Sequence, residues 1–161
     1  MATASELFGT DLRLLGDLEH QRDRERGRDL FVHKRAVSGA AETDPVDLET
    51  IDGRDNLQQA LLLRFLTRKG ELAILGHPDY GSRLYELIGE LNDQTHRNRA
   101  KLYTLEALAG EPRVRKVLSV TAIQSPADRT RVDIAVSLLA IDSPTPLDFV
   151  FAVFTGGSVS P

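Results

Sequence analysis

Five carboxylate side chains in the middle of the chain are of the type that acid–base chemistry could use. They are Glu71, Glu86, Glu90, Asp93 and Glu111. A glycoside hydrolase needs only two carboxyl groups at a suitable separation, which the sequence does not give. Acids near helix starts commonly stabilise the helix N-terminus instead. We therefore expect no catalytic residue, and a cell-wall glycosidase with paired carboxylates is the alternative.

Other motifs also give little support for a ligand site. Gly76 and Gly81 have the glycine spacing of a phosphate-binding loop, but Ser82 stands where that loop needs a lysine. The histidines are His20, His33, His77 and His96. They lie far apart in a chain without cysteine, and none forms an i, i+4 pair on a helix. The sequence predicts no cofactor and no metal ion.

Composition favours one globular domain with an ordinary surface. The chain has 161 residues, of which 41% are hydrophobic and 27% charged, so it can bury a core. A net charge of −4 argues against nonspecific nucleic-acid binding. The apolar runs are too short for a membrane span, and the first eight residues lack the pattern of a secretory signal. We expect a protein that begins its life in the cytosol.

Two longer helices and a short one are expected in the central part of the chain. Residues 56–66 follow the N-cap candidate Asp55 and place leucines at helical spacing. A longer helix should start after Asn92 or Asp93 and end near residue 109. Pro78 and Gly81 predict a turn between them, followed by a short helix over residues 83–88.

The hydrophobic period changes to two after residue 113, which predicts strands. Residues 114–123 and 130–138 form a hairpin with one buried face. Residues 147–154 are apolar on both faces, so they form either a central strand or an edge strand that expects a partner. Residues 10–18 could form a short strand or one turn of helix, and we predict the strand. Another short strand is predicted at 46–51. The fold class is α+β, with a small antiparallel sheet, helices packed against it and C-terminal strands open for pairing.

Three regions are predicted along the chain. Residues 1–45 form an extension with a short strand and a charged linker, because 21–29 carry mixed charges and almost no apolar side chain. Residues 46–154 form the main domain, and residues 155–161 form a flexible tail.

A stiff corner joins the helical part to the strands. Gly110 is a natural residue at a helix C-terminus, and Pro112 restricts the backbone of Glu111. Glu111 and Arg113 therefore flank a rigid turn with opposite charges. For an isolated corner, a helix end with two surface charges of little energetic value would be the preferred interpretation.

The corner is the last member of an ordered set of segments. The set runs from 55–67 through Gly70 and Glu71, then 77–84 and 106–108, to Glu111, Pro112, Arg113 and Val114. In this order the segments resemble the phage baseplate-wedge family long misnamed acidic lysozyme. Members of that family are sheath initiators of contractile tails, of extracellular contractile injection systems and of type VI secretion baseplates.

The resemblance implies a structural protein rather than an enzyme. It implies docking on the baseplate wedge through Glu111, Pro112 and Arg113, where a guanidinium can form bidentate hydrogen bonds with a partner's carboxylate. It also implies that sheath subunits extend the C-terminal strands, since pairing onto an open edge is a known mode of assembly. The expected contact residues of the last strand are Leu147, Phe149, Phe151 and Val153.

The implied partners are baseplate wedge proteins and sheath subunits, with inner tube or hub proteins as further candidates. Neither nucleic acid nor membrane insertion is expected. The protein would be in the bacterial cytoplasm during assembly and then part of the baseplate of a phage-like or contractile injection particle.

Overall fold

The computed structural model describes residues 8–16, 30–34, 46–141 and 143–155. It divides into two compact units, Met1–Gln59 and Ala60–Pro161. The predicted region boundaries at residues 45 and 154 are not tested by this division and stay predictions. The predicted charged linker at 21–29 and the tail from residue 156 lie outside the described residues.

The first unit contains two short antiparallel ribbons. Strand β1 (Thr10–Leu12) pairs with β4 (Thr50–Asp52), and β2 (Val32–Lys34) pairs with β3 (Val46–Leu48). The predicted strands within 10–18 and 46–51 are thus present but shorter, and the second is divided at Glu49. The strand β2 was not expected, because its residues lack a clear alternation.

Helix α1 (Gly53–Leu66) begins directly after β4. Gly53 has a φ of +59°, which a glycine adopts at little cost, and this lets the strand turn into a helix without a loop. Asp55 therefore lies in the first turn and is not the N-cap that we expected. Near the helix start, Asn56 donates to the Phe8 carbonyl, and Gln59 bonds the backbone of residues 12, 14 and 15.

The second unit is an α+β arrangement, as predicted. Helix α2 (Gln94–Ala109) is capped by Asp93, whose carboxylate accepts the His96 N–H at 2.8 Å. A three-stranded antiparallel sheet follows in the order β5 (Val114–Gln124), β6 (Arg131–Ala140) and β7 (Leu147–Phe154). Short 3₁₀ turns at Ala73–Leu75 and Leu84–Leu87 lie between the helices.

The core lies between one face of this sheet and the helices. Alternate residues of β6 are buried, including Ile134 and Leu138, which matches the predicted period of two. From α1, the Phe65 ring stacks on Phe151 at 4.5 Å and on Phe149 at 6.3 Å between ring centres. Strand β7 is therefore fixed to α1 through aromatic contacts.

Among the described strands, β7 lies at an edge of the sheet. Of the two predicted positions, central strand or edge strand, the structure shows the edge strand. It pairs with β6 along its whole length without a register shift. The opposite edge strand, β5, has two register shifts and carries Lys116, and such bulges and charges discourage pairing with another chain. The edge of β7 carries Asp148 as its single charge.

Hydrogen bonding identifies the outward-facing amides of β7. Thr155 N donates to the Thr130 carbonyl at 2.7 Å, so the N–H of that residue faces β6. Because the direction alternates along an antiparallel strand, the N–H groups of Val150 and Ala152 face away from β6. The edge therefore presents a regular row of donors and acceptors.

The loop between α1 and the second 3₁₀ turn closes back on the end of α1. Ser82 N donates to the Thr67 carbonyl at 2.9 Å, and Lys69 N donates to the Ser82 carbonyl at 2.9 Å. Gly81 lies at this closure with a φ of +103°, and an added Cβ would lie 2.6 Å from the Arg68 carbonyl oxygen. A close approach of two backbone segments thus explains the glycine that resembled part of a phosphate loop.

Gly81→Ala is expected to destabilise the protein by about 3 kcal/mol or more, because strain and a backbone clash add. Gly76→Ala is the matched control. Gly76 also has a positive φ, +88°, but no atom lies within 4 Å of an added Cβ. Only the conformational cost of about 1–2 kcal/mol should remain there. Urea unfolding of both variants measures the difference, and equal losses would contradict the close approach.

Candidate functional site

The corner between α2 and β5 is closed by its own backbone. Glu111 N donates to the Leu108 carbonyl at 3.1 Å, and Val114 N donates to the Glu111 carbonyl at 3.0 Å. Pro112 lies inside this turn, where its missing N–H leaves no bond unmade. The corner therefore holds the first residues of β5 in a fixed position at the end of α2.

The Glu111 carboxylate is buried and bonded within the protein. The residue is 6% exposed. Its Oε1 accepts from Arg113 Nε at 2.6 Å, and its Oε2 accepts from Arg64 Nη2 at 3.3 Å. Of the three corner residues expected to meet a partner, Glu111 therefore turns its side chain inward, whereas the Arg113 side chain is 26% exposed.

Arg64 is the third charged residue at the corner, beside Glu111 and Arg113, and the sequence analysis did not identify it. It extends from α1 and is 8% exposed, with its guanidinium carbon 4.5 Å from the centre of the Tyr80 ring. Its Nε has no hydrogen-bond partner in the described structure, and an unmet buried donor costs about 1–3 kcal/mol. A charged residue at helical spacing within the buried leucines of α1 was the signal that could have found it.

Gly110 leaves room beside the helix end and has an ordinary backbone angle. It caps α2 with an ordinary φ of −82°, and not the left-handed conformation that a glycine after a helix suggests. An added Cβ would lie 3.2 Å from Arg64 Nη1. The glycine thus admits the guanidinium beside the helix end.

Burial and charge oppose each other at Glu111. Burial raises the pKa of the carboxyl, but the hydrogen bond and charge of Arg113 and the charge of Arg64 outweigh it, so the pKa lies below its ordinary value of 4.5. Because the pKa of Glu111 is lower in the folded protein than in the unfolded chain, its ionised carboxylate stabilises the fold above pH 4.5. This stabilisation is lost as the pH falls through the folded-state pKa. Burial likewise raises the pKa of Tyr80.

The expected contact side chains of β7 point mainly into the protein. Leu147, Phe149 and Phe151 are buried, and Val153 is half-buried. Contact with another strand would therefore use the main chain of β7, while these side chains hold the strand on the core. Their role in binding a partner stays a prediction.

The other candidate carboxylates have structural partners. Glu86 accepts hydrogen bonds from Arg83 and from the Tyr103 hydroxyl, which lower its pKa. Asp93 caps α2, and its hydrogen bond from the His96 amide lowers its pKa. A general acid in glycoside hydrolysis needs a raised pKa, so neither residue suits that role. The Glu71 carboxylate accepts from the Arg68 backbone N–H.

A small depression lies beside the corner. Its volume is about 20 Å³, which admits a water molecule but not a sugar ring. Its lining includes Arg64, Lys69, Tyr103 and Gly110. Within residues 8–16, 30–34, 46–141 and 143–155, no group of three or more histidine and acidic side chains could hold a metal ion. In the same part of the chain, no helix has the length and apolar character that crossing a membrane requires.

Comparison with known proteins gives a likeness in fold. No family model and no curated protein matches the chain. A solved structure does match it, that of a candidate tail lysozyme from Geobacter sulfurreducens, with a TM-score of 0.53 over 63% of this chain and 89% of that one. The two chains share a fold. Their sequences are 24% identical, so the likeness concerns the architecture and not the activity.

Proposed function

We propose that this protein is a structural baseplate component of a contractile injection system or phage-like tail. It docks on the baseplate wedge and nucleates polymerisation of the sheath. The edge of β7 is the observation on which the proposal mainly depends. That edge is regular over eight residue pairs with β6 and carries no bulge, in contrast to β5. A strand from a sheath subunit could extend the sheet there.

The anchoring of β7 supports this role. An edge strand that receives a partner must keep its shape before the partner arrives, because ordering it on binding would lower the affinity. Phe149 and Phe151 are buried against Phe65, so β7 is already fixed. The outward N–H groups of Val150 and Ala152 then provide main-chain bonds with a defined register.

The corner supplies the second contact in this proposal. Pro112 is exposed and Arg113 is half-buried, and a guanidinium is suited to a carboxylate of a wedge protein. The fold shared with a protein named as a tail lysozyme agrees with a place in a tail, and hence with assembly in the bacterial cytoplasm. A name that refers to a lysozyme keeps the glycosidase as the alternative, although Glu86, Asp93 and Glu111 all have lowered pKa values.

Deletion of the encoding gene tests the proposal. Purified particles from the deletion strain should contain tubes without sheath in electron micrographs, and the wild-type gene should restore sheathed particles. Sheathed particles without the protein would contradict nucleation. A peptidoglycan-release assay at several pH values tests the alternative with the same purified chain. Release that is lost in Glu86→Gln and Glu111→Gln variants would favour the glycosidase.

A further inference from the structure

We infer that Arg64 and Glu111 are positioning residues that fix Arg113, and that Arg113 makes the partner contact at the corner. This inference rests on the proposed docking function. It assigns positioning to Arg64 and Glu111 and partner contact to Arg113. The three side chains differ sharply in exposure: 5% for Glu111, 10% for Arg64 and 26% for Arg113. A partner that approaches the corner can therefore reach Arg113 most easily.

The bond between Glu111 and Arg113 constrains the guanidinium strongly. Glu111 Oε1 lies 2.6 Å from Arg113 Nε, the donor on the side of the planar group nearest the chain. Fixing Nε restricts rotation about the last bonds of the side chain. The same oxygen lies 3.4 Å from the Arg113 backbone N–H. Both contacts lie within the turn that follows α2. The turn therefore sets the direction in which the Arg113 side chain points.

Arg64 holds the other oxygen of the same carboxylate. It reaches Glu111 Oε2 from a different element, α1, and lies against the Tyr80 ring. Without Arg64, the Glu111 side chain could rotate and carry Arg113 with it. Gly110 leaves space beside the guanidinium, since an added Cβ would lie 3.2 Å from Arg64 Nη1, closer than an ordinary contact. Three elements thus determine the position of one carboxylate.

A stabilising ion pair without a positioning role is the competing explanation. Buried ion pairs often contribute little net stability, because the loss of hydration offsets the attraction. Replacement of both partners by apolar residues is then tolerated, whereas removal of one partner leaves an uncompensated charge. A double replacement can therefore separate stabilisation from positioning. It can restore folding without restoring the hydrogen bond that holds Arg113 in place.

The test compares Arg64→Met, Glu111→Leu and the double variant in the full chain. We expect each single change to lower the urea midpoint of unfolding and the double change to restore most of it. Incorporation into purified particles, measured against the wild type by quantitative immunoblot, should remain reduced about tenfold or more in the double variant. The Arg113 Nε–H signal in side-chain ¹⁵N NMR spectra of the isolated chain should also exchange faster with solvent than in the wild type.

Normal incorporation of a stable double variant would overturn the positioning role, as would an unchanged Arg113 Nε–H signal. If the double variant does not fold, the conservative change Glu111→Gln provides the same NMR readout with less perturbation. The proposed function fails separately, when Arg113→Ala itself incorporates normally. A defect in Arg113→Ala together with normal incorporation of the double variant would refute this inference alone.

Discussion

Arg113→Ala is expected to give a folded protein that no longer enters baseplates. The change removes the guanidinium that we propose to bind a carboxylate of the wedge, and loss of one partner of a desolvated charge pair typically weakens binding by about 2–5 kcal/mol. Such a loss lowers affinity by a factor of roughly 30 or more. Sheathed particles should then be rare, as counted in electron micrographs of purified material.

Folding of this variant must be measured with assembly. The side chain bonds Glu111, which would keep Arg64 as its counter-ion after the change, so we expect a loss of about 1–3 kcal/mol in the free energy of unfolding. Arg115→Ala is the matched control, because Arg115 is an exposed arginine two residues along on β5. It should assemble normally. Equal defects in both variants would indicate a general charge effect and contradict a specific docking residue.

Val150→Pro is expected to prevent sheath growth while the domain remains folded. The N–H of Val150 faces away from β6, so proline removes a donor from the open edge and none from the ladder within the sheet. Its ring also obstructs an incoming strand. Particles with this variant on the baseplate should carry tubes without sheath, and the protein should still be present in them by immunoblot.

Val150→Thr is the control, since it keeps the N–H and a β-branched side chain of similar size. It should give sheathed particles. Removal of the whole strand would be less informative, because Phe149 and Phe151 belong to the core and their loss would unfold the domain. Sheathed particles with Val150→Pro would show that the edge of β7 is not extended during assembly.

Regular elements of the second unit followed closely from the sequence. The bounds of β7 agree with the prediction, and Asp93, one of the two expected caps, caps α2, because these features depend on neighbouring residues. Pairing between distant segments is different, since nothing local in residues 32–34 marks β2 as the partner of β3. Its presence depends on pairing with residues 46–48, which hydrophobic periodicity does not record.

Side-chain roles were harder to predict than elements. The sequence placed Glu111 beside Arg113 but could not show that the carboxylate points inward, because that depends on Arg64, 47 residues earlier in the chain. Likewise, alternation marked residues 147–154 as a strand, whereas the stack of Phe65 on Phe151 decided which face is buried. The local sequence pattern predicts the helices and strands. The orientation and contacts of each side chain depend on residues that are distant in the sequence.

The eight registered pairs between β6 and β7 have a mechanical consequence. Hydrogen bonds in an antiparallel ladder lie perpendicular to the strands. Tension along β7 would therefore load all the pairs in shear at once, whereas a pull at right angles would open them one after another. A strand added along the same direction would share this geometry. If a sheath strand is added to β7 as we propose, the joint between them should resist force from a contracting sheath most strongly along the direction of that strand.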